Sequence, residues 1–467
     1  MRLFGRKSQQ PKQRRQIALD KNKVRQLRLM SLATIRLSNR RQNIRLSISS
    51  RPPSVRLPTK VKYEIPNLPP VRPFSPAYFS PSAVLTRVEP IERNELYIGR
   101  IVRLIEGEPW VRTVSSDATI DVSRPARMLI VGSSGSGKTN LCKVLVEEYF
   151  DKTKDRHIFI LDNENEYALM ARKSINYETL AKFGLTPKSY PVRVIAPPYV
   201  LRDYKEMLLS ISPQIELMNL RIDWKLINTP ILQYLTGFTD TKIAPYLAPA
   251  IENYIAAGKF SHEGLEIALD SAEALSPKIK RAMIQRIDIL VKEGILGDFD
   301  PTAIFAERKI NVFLIPAAKL SFEEITLWAV FFSTFVRRLA EVEGIPLFVV
   351  LDEAREYARA AHQRKVTKSE IGSIFTKGRK RDIDAVISTN VAEMLSDIVP
   401  NVTHSFYLRF RAPSMIAGKK IYPSERVREE VESLPRYHAV FDDSERDITA
   451  VVEIRPARSF TPPQRRS

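Results

Sequence analysis

The segment 132–139 constrains the fold more than any other part of the chain, because it reads GSSGSGKT. It follows an apolar run, Met128–Val131, and precedes a run with helical character, Asn140–Tyr149. This is the strand, G-x-x-x-x-G-K-T, helix order of a phosphate-binding loop. Its glycines let the backbone curl so that successive N–H groups point at a phosphate, and the helix N-terminus adds its dipole. The segment therefore predicts an α/β protein that binds a nucleotide, with a glycine-rich turn as the alternative.

Two residues of this phosphate loop have expected roles beyond the backbone. Lys138 is expected to contact the β- and γ-phosphates, and the Thr139 hydroxyl to ligate Mg²⁺. ATP and Mg²⁺ are therefore the predicted cofactors. The predicted nucleotide-binding residues are Gly132, Ser133, Ser134, Gly135, Ser136, Gly137, Lys138, Thr139 and Asn140.

Strands that alternate with helices around the phosphate loop predict a mostly parallel sheet covered on both faces. Between Asp203 and Leu296 the strand signal is weak and helical periodicity dominates, so we expect a helical insertion there. Short alternating apolar runs between Leu96 and Val122 predict a small β element before the core. The strands predicted for the sheet are Ala126–Val131, His157–Asp162, Val192–Ala196, Ile310–Ile315, Pro346–Asp352, Asp384–Thr389 and His404–Phe410.

Positive charge is concentrated at the N-terminus. Residues 1–60 hold 17 Lys/Arg and one acidic residue, whereas the rest of the chain holds 56 basic and 52 acidic residues. Such an arm indicates nucleic acid or an anionic membrane surface as a partner, with a solvated tail as the alternative. No apolar run reaches the roughly 20 residues that cross a bilayer, so no integral membrane segment is expected. The N-terminus also lacks the apolar region of a secretory signal, which predicts a cytoplasmic protein.

Composition also divides the chain into domains. The predicted bounds are 1–60 for a basic, disordered arm, 61–125 for a proline-rich linker and the small β element, 126–202 and 301–456 for the two parts of the α/β core, 203–300 for the helical insertion, and 457–467 for a basic tail. The five histidines show no spacing typical of metal ligands, which argues against a structural zinc site.

A second acidic motif lies at the end of a predicted buried strand, in Leu347–Glu353. Asp352 is expected to hold Mg²⁺, and Glu353 to polarise the attacking water as a general base. An acid directly after the Mg²⁺ aspartate favours hydrolysis by water over transfer to a bound acceptor. The alternative is a strand that ends in acids before a helix, where Asp is a favoured N-cap.

Three further groups are candidates for the same site. Asn390 or Thr389, at the end of the next strand, is expected to sense the γ-phosphate, with an ordinary turn as the alternative. Arg379, just before that strand, is expected to reach a neighbouring subunit's nucleotide, or else to lie on a basic surface loop. A third group, Asp162, Glu164 and Glu166, follows another strand and would order waters around Mg²⁺ or remain solvated.

Together these motifs resemble the HerA/FtsK superfamily of hexameric DNA-pumping ATPases, and HerA-like proteins more than FtsK, over about residues 96–456. The family shows D-P-H-G-E-Y, L-D-E-A-H, G-R-K followed by S-Q-R-P, and a strand of the form N-T-x-x-x-x-R-L. The similar segments in this chain are Asp162–Tyr167, Leu351–Ala354, Gly378–Asn390 and Thr403–Phe410, and the C-terminal part 434–456 resembles the closing strands of the family.

The resemblance implies a RecA-like core, a hexameric homo-oligomer, ATP hydrolysis between subunits and movement of double-stranded DNA through the ring. It implies that Arg379 acts in trans. A partner nuclease or capsid protein would fit a role in repair, segregation or genome packaging. An alternative is an ATPase that powers conjugative or secretion transport, similar to type IV secretion ATPases and coupling proteins. A third is a nucleotide-dependent switch with slow hydrolysis.

The sequence also departs from the family pattern. Thr389-Asn390-Val391 replaces the Q-R-P triplet, which leaves the identity of the sensor open. Asn163, Glu164 and Asn165 replace Pro, His and Gly of D-P-H-G-E-Y. The N-terminal β-barrel of the family has room only for a reduced form here, and the basic arm has no counterpart. These differences indicate a divergent member.

Overall fold

A twelve-stranded sheet forms the centre of the part of the chain that the structure describes. This computed structural model describes residues 95–106, 117–238, 243–355, 372–375, 382–390, 399–410 and 424–462, all within the unit Leu85–Ser467. The strands are β1 (Leu96–Glu106), β2 (Asp117–Ile120), β3 (Arg127–Val131), β4 (His157–Asp162), β5 (Val192–Ala196), β6 (Glu216–Asn219), β7 (Ile310–Leu314), β8 (Leu347–Leu351), β9 (Ile383–Thr389), β10 (His404–Leu408), β11 (His438–Asp443) and β12 (Ile448–Ile454).

Helices connect and cover these strands. In the described residues they are α1 (Lys138–Lys152), α2 (Tyr177–Lys182), α3 (Pro198–Ile211), α4 (Thr229–Thr236), α5 (Ala244–Ala257), α6 (His262–Asp270), α7 (Pro277–Lys292), α8 (Thr302–Phe305), α9 (Phe322–Glu341) and α10 (Glu425–Ser433), with 3₁₀ turns at Tyr167–Ala171, Trp224–Leu226 and Val399–Asn401. None of the described helices is long and apolar enough to cross a membrane.

The sheet has a parallel part and an antiparallel part. Its order is β2-β1-β12-β11-β10-β3-β9-β8-β4-β7-β5-β6, and all neighbours from β10 to β6 run parallel. Every residue of β3, β5, β7, β8, β9 and β10 is buried, as expected for strands covered on both faces. The predicted α/β fold with a mostly parallel sheet is confirmed, and the strands lie within about two residues of their predicted bounds.

Two parts of the sheet differ from the sequence-based expectation. β6, Glu216–Asn219, lies inside the predicted helical insertion and forms the parallel edge strand beside β5. Its short, half-buried sequence ELMN carries little strand signal. The predicted β element is not separate, because β1 pairs with β12 and thereby extends the main sheet. The predicted strand at 110–114 lies outside the described residues.

A buried ionic contact fixes α1 against the chain that follows β12. Arg455 Nη1 lies 2.9 Å from Glu147 Oε2, and Nη2 lies 2.9 Å from Glu148 Oε1. The three side chains are buried. Glu147 also accepts hydrogen bonds from the backbone N–H groups of Arg458 at 3.0 Å and Ser459 at 2.8 Å. We call these five residues the C-terminal clamp.

The clamp changes the interpretation of the C-terminal end. The sequence assigned 457–467 to a basic tail, yet Ala457 and Ser459 are buried against the core. The Ser459 N–H and hydroxyl donate to the buried Glu147 carboxylate, and the Ala457 N–H donates to Asn140 Oδ1, so this segment supplies donors that buried acceptors need. Residues 463–467 lie outside the described part of the chain.

Replacing Arg455 with Ala should strongly destabilise the fold, because it removes the ion-pair partner of the buried Glu147 carboxylate and leaves Glu148 with Lys152 alone. Breaking a buried pair in this way costs about 3–5 kcal/mol. The control is Lys319→Ala, since Lys319 and Asp203 form an ion pair in which both side chains are about half exposed. Such a pair contributes about 0–1 kcal/mol. Thermal melting of both variants is the measurement, and equal shifts would contradict a structural role for the clamp.

Candidate functional site

The phosphate loop is held between two parallel strands. The Gly132 N–H donates to the Thr389 carbonyl at 3.3 Å, at the end of β9. The Ser133 N–H and hydroxyl both donate to the Arg409 carbonyl, at 3.1 and 2.9 Å, just past the end of β10. The loop is therefore fixed at both sides, at the sheet edge where the carboxyl ends of β3, β9 and β10 meet.

The loop conformation requires glycine at three positions. Gly135 and Gly137 have φ values of 78° and 114°, in the region that L side chains rarely adopt. A Cβ atom on Gly132 would lie 2.5 Å from Ser136 Oγ and 2.9 Å from Leu408 Cβ. These constraints account for the spacing of the glycines in GSSGSGKT.

Lys138 and Glu353 meet across the site. Lys138 is 4% exposed, and its Nζ lies 3.0 Å from Glu353 Oε1. Glu353 has a φ of 45°, which is uncommon for a residue with a side chain and typical of functional sites. Its N–H donates to Asp352 Oδ1 at 2.9 Å and to Ser388 Oγ at 3.2 Å. The structure thus brings the predicted lysine and the predicted general base into direct contact.

Asp352 is buried, and hydrogen bonds orient both of its carboxylate oxygens. The Ser388 hydroxyl donates to Oδ1, and the Tyr167 hydroxyl donates to Oδ2 at 2.8 Å. Sequence reasoning did not assign roles to Tyr167 or Ser388. The β8–β9 register pairs Leu351 with Ile387, so Ser388 faces Asp352, and Tyr167 is the last residue of the segment that resembles D-P-H-G-E-Y.

The acidic residues at the end of β4 and just after it lie close to Asp352 and Glu353. Asp162 accepts the N–H groups of Glu164 at 3.0 Å and Tyr167 at 2.9 Å. Burial raises the pKa of Asp162, and the charge of Asp352 raises it further. Partial burial, together with the charge of Glu353, raises the pKa of Glu164 to about 7. Crowded carboxylates offer the hard oxygen ligands that suit Mg²⁺, so the residues present fit this ion.

The side chain of Asn140 has a structural role. Its Nδ2 donates to the Arg455 carbonyl at 3.0 Å, and its Oδ1 accepts the Ala457 N–H at 2.9 Å. Both ends of the amide are therefore used by the C-terminal segment. The backbone N–H, rather than the side-chain amide, is therefore the group of Asn140 that we expect to serve a nucleotide.

Of the two remaining predicted residues, the structure describes Asn390 but not Arg379. Asn390 follows Thr389, whose carbonyl holds the phosphate loop, and its Oδ1 is buried without a hydrogen-bond partner among the described residues. An unpaired buried acceptor next to the phosphate loop is consistent with a ligand-facing group. Arg379 lies outside the described residues, so its role in trans stays a prediction.

A cavity of about 400 Å³ opens beside the start of α1. The Tyr437 ring approaches the phosphate loop, since a Cβ on Gly137 would lie 3.1 Å from Tyr437 Cδ1. The Arg436 guanidinium lies 4.7 Å from the centre of that ring. Phe183 and Asn176 line the opposite part of the cavity. Its walls thus combine aromatic and polar groups next to the phosphate loop.

Comparison with known proteins supports the resemblance to HerA-type ATPases that the sequence motifs indicate. Residues 103–280 match the family model described as "Helicase HerA, central domain". The resemblance to HerA/FtsK-type ATPases is confirmed. VirB4 of Thermoanaerobacter pseudethanolicus is 12% identical, with a TM-score of 0.50 over 78% of this chain and 97% of that chain. At this identity the similarity establishes the fold, which is that of P-loop ATPases.

Two further solved structures show weaker similarity. The bacterial conjugative coupling protein TrwBdeltaN70 is 14% identical, with a TM-score of 0.45 over 76% of this chain and 94% of that chain. The genome packaging NTPase B204 from Sulfolobus turreted icosahedral virus 2, solved with ATP-gammaS, is 12% identical, with a TM-score of 0.33 over 70% of this chain and 97% of that chain. No curated protein matches the chain significantly.

The raised pKa of Glu164 predicts a pH-dependent stability in the absence of Mg²⁺. The folded state keeps this proton at pH values where the unfolded chain, with an ordinary pKa of 4.5, has lost it. Stability should therefore fall as the pH rises from about 4.5 through about 7. Glu164→Gln should remove this part of the pH dependence, as measured by melting temperature against pH.

The matched control is Glu178→Gln, at an exposed position on α2. The melting temperature of this variant should depend on pH as that of the wild type does. Added Mg²⁺ should reduce the pH dependence of the wild type. If Glu164→Gln and the wild type lose stability in parallel across this window, the raised pKa is wrong.

Proposed function

We propose that this protein is a Mg²⁺-dependent ATP hydrolase that works as a HerA-type DNA translocase. The observation that carries the proposal is the contact between Lys138 and Glu353, beside the oriented carboxylate of Asp352. Phosphoryl transfer to water needs a lysine that binds the phosphates, an acid that holds the metal ion and an acid that activates the water. The HerA central-domain match supports the same function.

The contacts suggest how ATP would change the site. The β- and γ-phosphates would lie along the backbone N–H groups of the phosphate loop and draw the Lys138 ammonium away from Glu353. Glu353, held by its N–H bonds to Asp352 and Ser388, would then be free to accept a proton from the attacking water. Thr139 and Asp352 would hold Mg²⁺, which neutralises charge that develops on the phosphates.

The remaining residues fit a ring of subunits. Arg379 would come from the neighbouring subunit to stabilise the γ-phosphate, and Asn390 would sense that phosphate from its own subunit. We propose a hexamer, in which the cavity beside Tyr437 receives the base and ribose. The basic arm, 1–60, would contact the phosphates of double-stranded DNA without reading the bases. A nuclease or a capsid protein is the candidate partner, and the cytoplasm the expected location.

Glu353→Gln should abolish most ATP hydrolysis while nucleotide binding persists. Removing a general base typically costs about 10²–10⁴-fold in rate. Lys138 keeps its charge in this variant, so phosphate binding should be retained or strengthened. Turnover and binding of ATP, measured separately, test this. The control is Glu343→Gln, at an exposed position after α9. A variant Glu353→Gln with near-normal turnover would favour the switch hypothesis.

Double-stranded DNA should raise the ATPase rate of the full chain. The same measurement on a chain that lacks residues 1–60 separates the contribution of the basic arm from that of the core. The same measurement on Arg379→Ala gives the contribution of that arginine. Stimulation in both lengths would place DNA contact in the core, and stimulation only with the arm would make the arm the DNA-loading element. Arg379→Ala should lower the stimulated rate by about 10³-fold or more if it acts in trans.

The second candidate is a transport ATPase of the conjugative or secretion type. The fold similarity to VirB4, which spans 97% of that chain, favours it. In this case, DNA would leave the rate unchanged while hydrolysis stays intact. The basic arm would instead recruit the protein to anionic liposomes at physiological salt, because juxtamembrane basic segments bind such surfaces.

A further inference from the structure

Three side chains with metal-ligating atoms converge on the helical layer. His262 and Glu266 lie one helical turn apart on α6, and Asp288 lies on α7. His262 Nε2 lies 2.9 Å from Asp288 Oδ1 and 3.5 Å from Glu266 Oε1, and one ligand atom of each residue lies within 4.8 Å of the others. Histidine spacing alone does not reveal this group, because two of its members are carboxylates and one comes from another helix.

The orientation of the His262 ring points to a shared ligand. Nε2 is shielded from solvent and makes no hydrogen bond to any described residue, although Asp288 Oδ1 is only 2.9 Å away. Nε2 therefore does not aim at that oxygen, which leaves it available for another ligand. The ring stacks on Trp224, with centroids 6.1 Å apart and planes 27° apart, which fixes its direction.

The spacing fits a transition metal. Bonds of about 2.1 Å to nitrogen and oxygen in tetrahedral geometry place the ligand atoms about 3.4 Å apart. The distances from His262 Nε2 to Asp288 Oδ1 and Glu266 Oε1, 2.9 and 3.5 Å, bracket that value. An imidazole with two carboxylates suits Zn²⁺, whereas Mg²⁺ and Ca²⁺ prefer sites made only of oxygen. With a neutral imidazole the group carries two negative charges, which one divalent cation balances.

We propose that His262, Glu266 and Asp288 bind one Zn²⁺ ion that joins α6 to α7. Water would fill the fourth position, since the three side chains are each about one-third exposed. The α6–α7 contact belongs to the helical layer in which α4 packs against α5, α7 and α9, and α9 packs on β4 and β8. The ion would therefore stabilise the helical insertion and act apart from the phosphate loop.

The test is Zn²⁺ titration of the full chain after chelator treatment, with saturating Mg²⁺ and no nucleotide. We expect one bound Zn²⁺ ion, a rise in melting temperature, and a visible Co²⁺ spectrum typical of a four-coordinate site. His262→Ala and the double variant Glu266→Gln with Asp288→Asn should each weaken binding at least ~10-fold and lose the thermal shift. Glu263→Gln, exposed on the same helix, should behave like the wild type.

Two results would overturn the proposal. If the wild type binds neither Zn²⁺ nor Co²⁺ at micromolar concentrations, the three residues form only an ion pair around a protonated imidazole. If the double variant binds Zn²⁺ as the wild type does, the ion lies elsewhere. Because the double variant keeps the size of both side chains, its fold can be checked independently by its melting temperature without metal.

Discussion

The parallel register of β10, β3, β9 and β8 is the constraint on which the site depends. Strands in parallel register end at one edge, and here each end carries one part of the site. β3 leads into the phosphate loop, the carbonyls of Thr389 and Arg409 hold that loop, and β8 delivers Asp352. A register shift in one strand would move its part away from the others, so the site is a property of the whole sheet.

The acids at this edge lie close enough together to raise one another's pKa. Asp352 is stabilised by two hydroxyl donors, and Glu353 by the Lys138 ammonium. The Glu164 side chain has no ion-pair or hydrogen-bond partner among the described residues, and its pKa is raised to about 7. The negative charge that raises the pKa of Glu164 is the same charge that would attract Mg²⁺.

Sequence reasoning could reach the parallel sheet because its inner strands are short and mostly apolar, with at most a few polar residues in each. Lys138, Asp352 and Glu353 could be proposed as site residues from the sequence because their motifs are local. The contact between Lys138 and Glu353 was not, since it depends on the register of distant strands. The clamp was also missed, because composition does not separate a buried arginine such as Arg455 from the exposed basic residues around it.

The connection between β1 and the clamp has a mechanical consequence. The Tyr97 N–H donates to Glu148 Oε2 at 2.8 Å, and the Tyr97 carbonyl accepts from Arg455 Nε at 3.1 Å. β1 thus bonds to the same residues that hold α1, the helix that begins at the phosphate loop. Tension along β1 would therefore act on these contacts to α1 as well as on the β1–β12 hydrogen bonds. The first strand therefore transmits force directly to the helix that begins at Lys138.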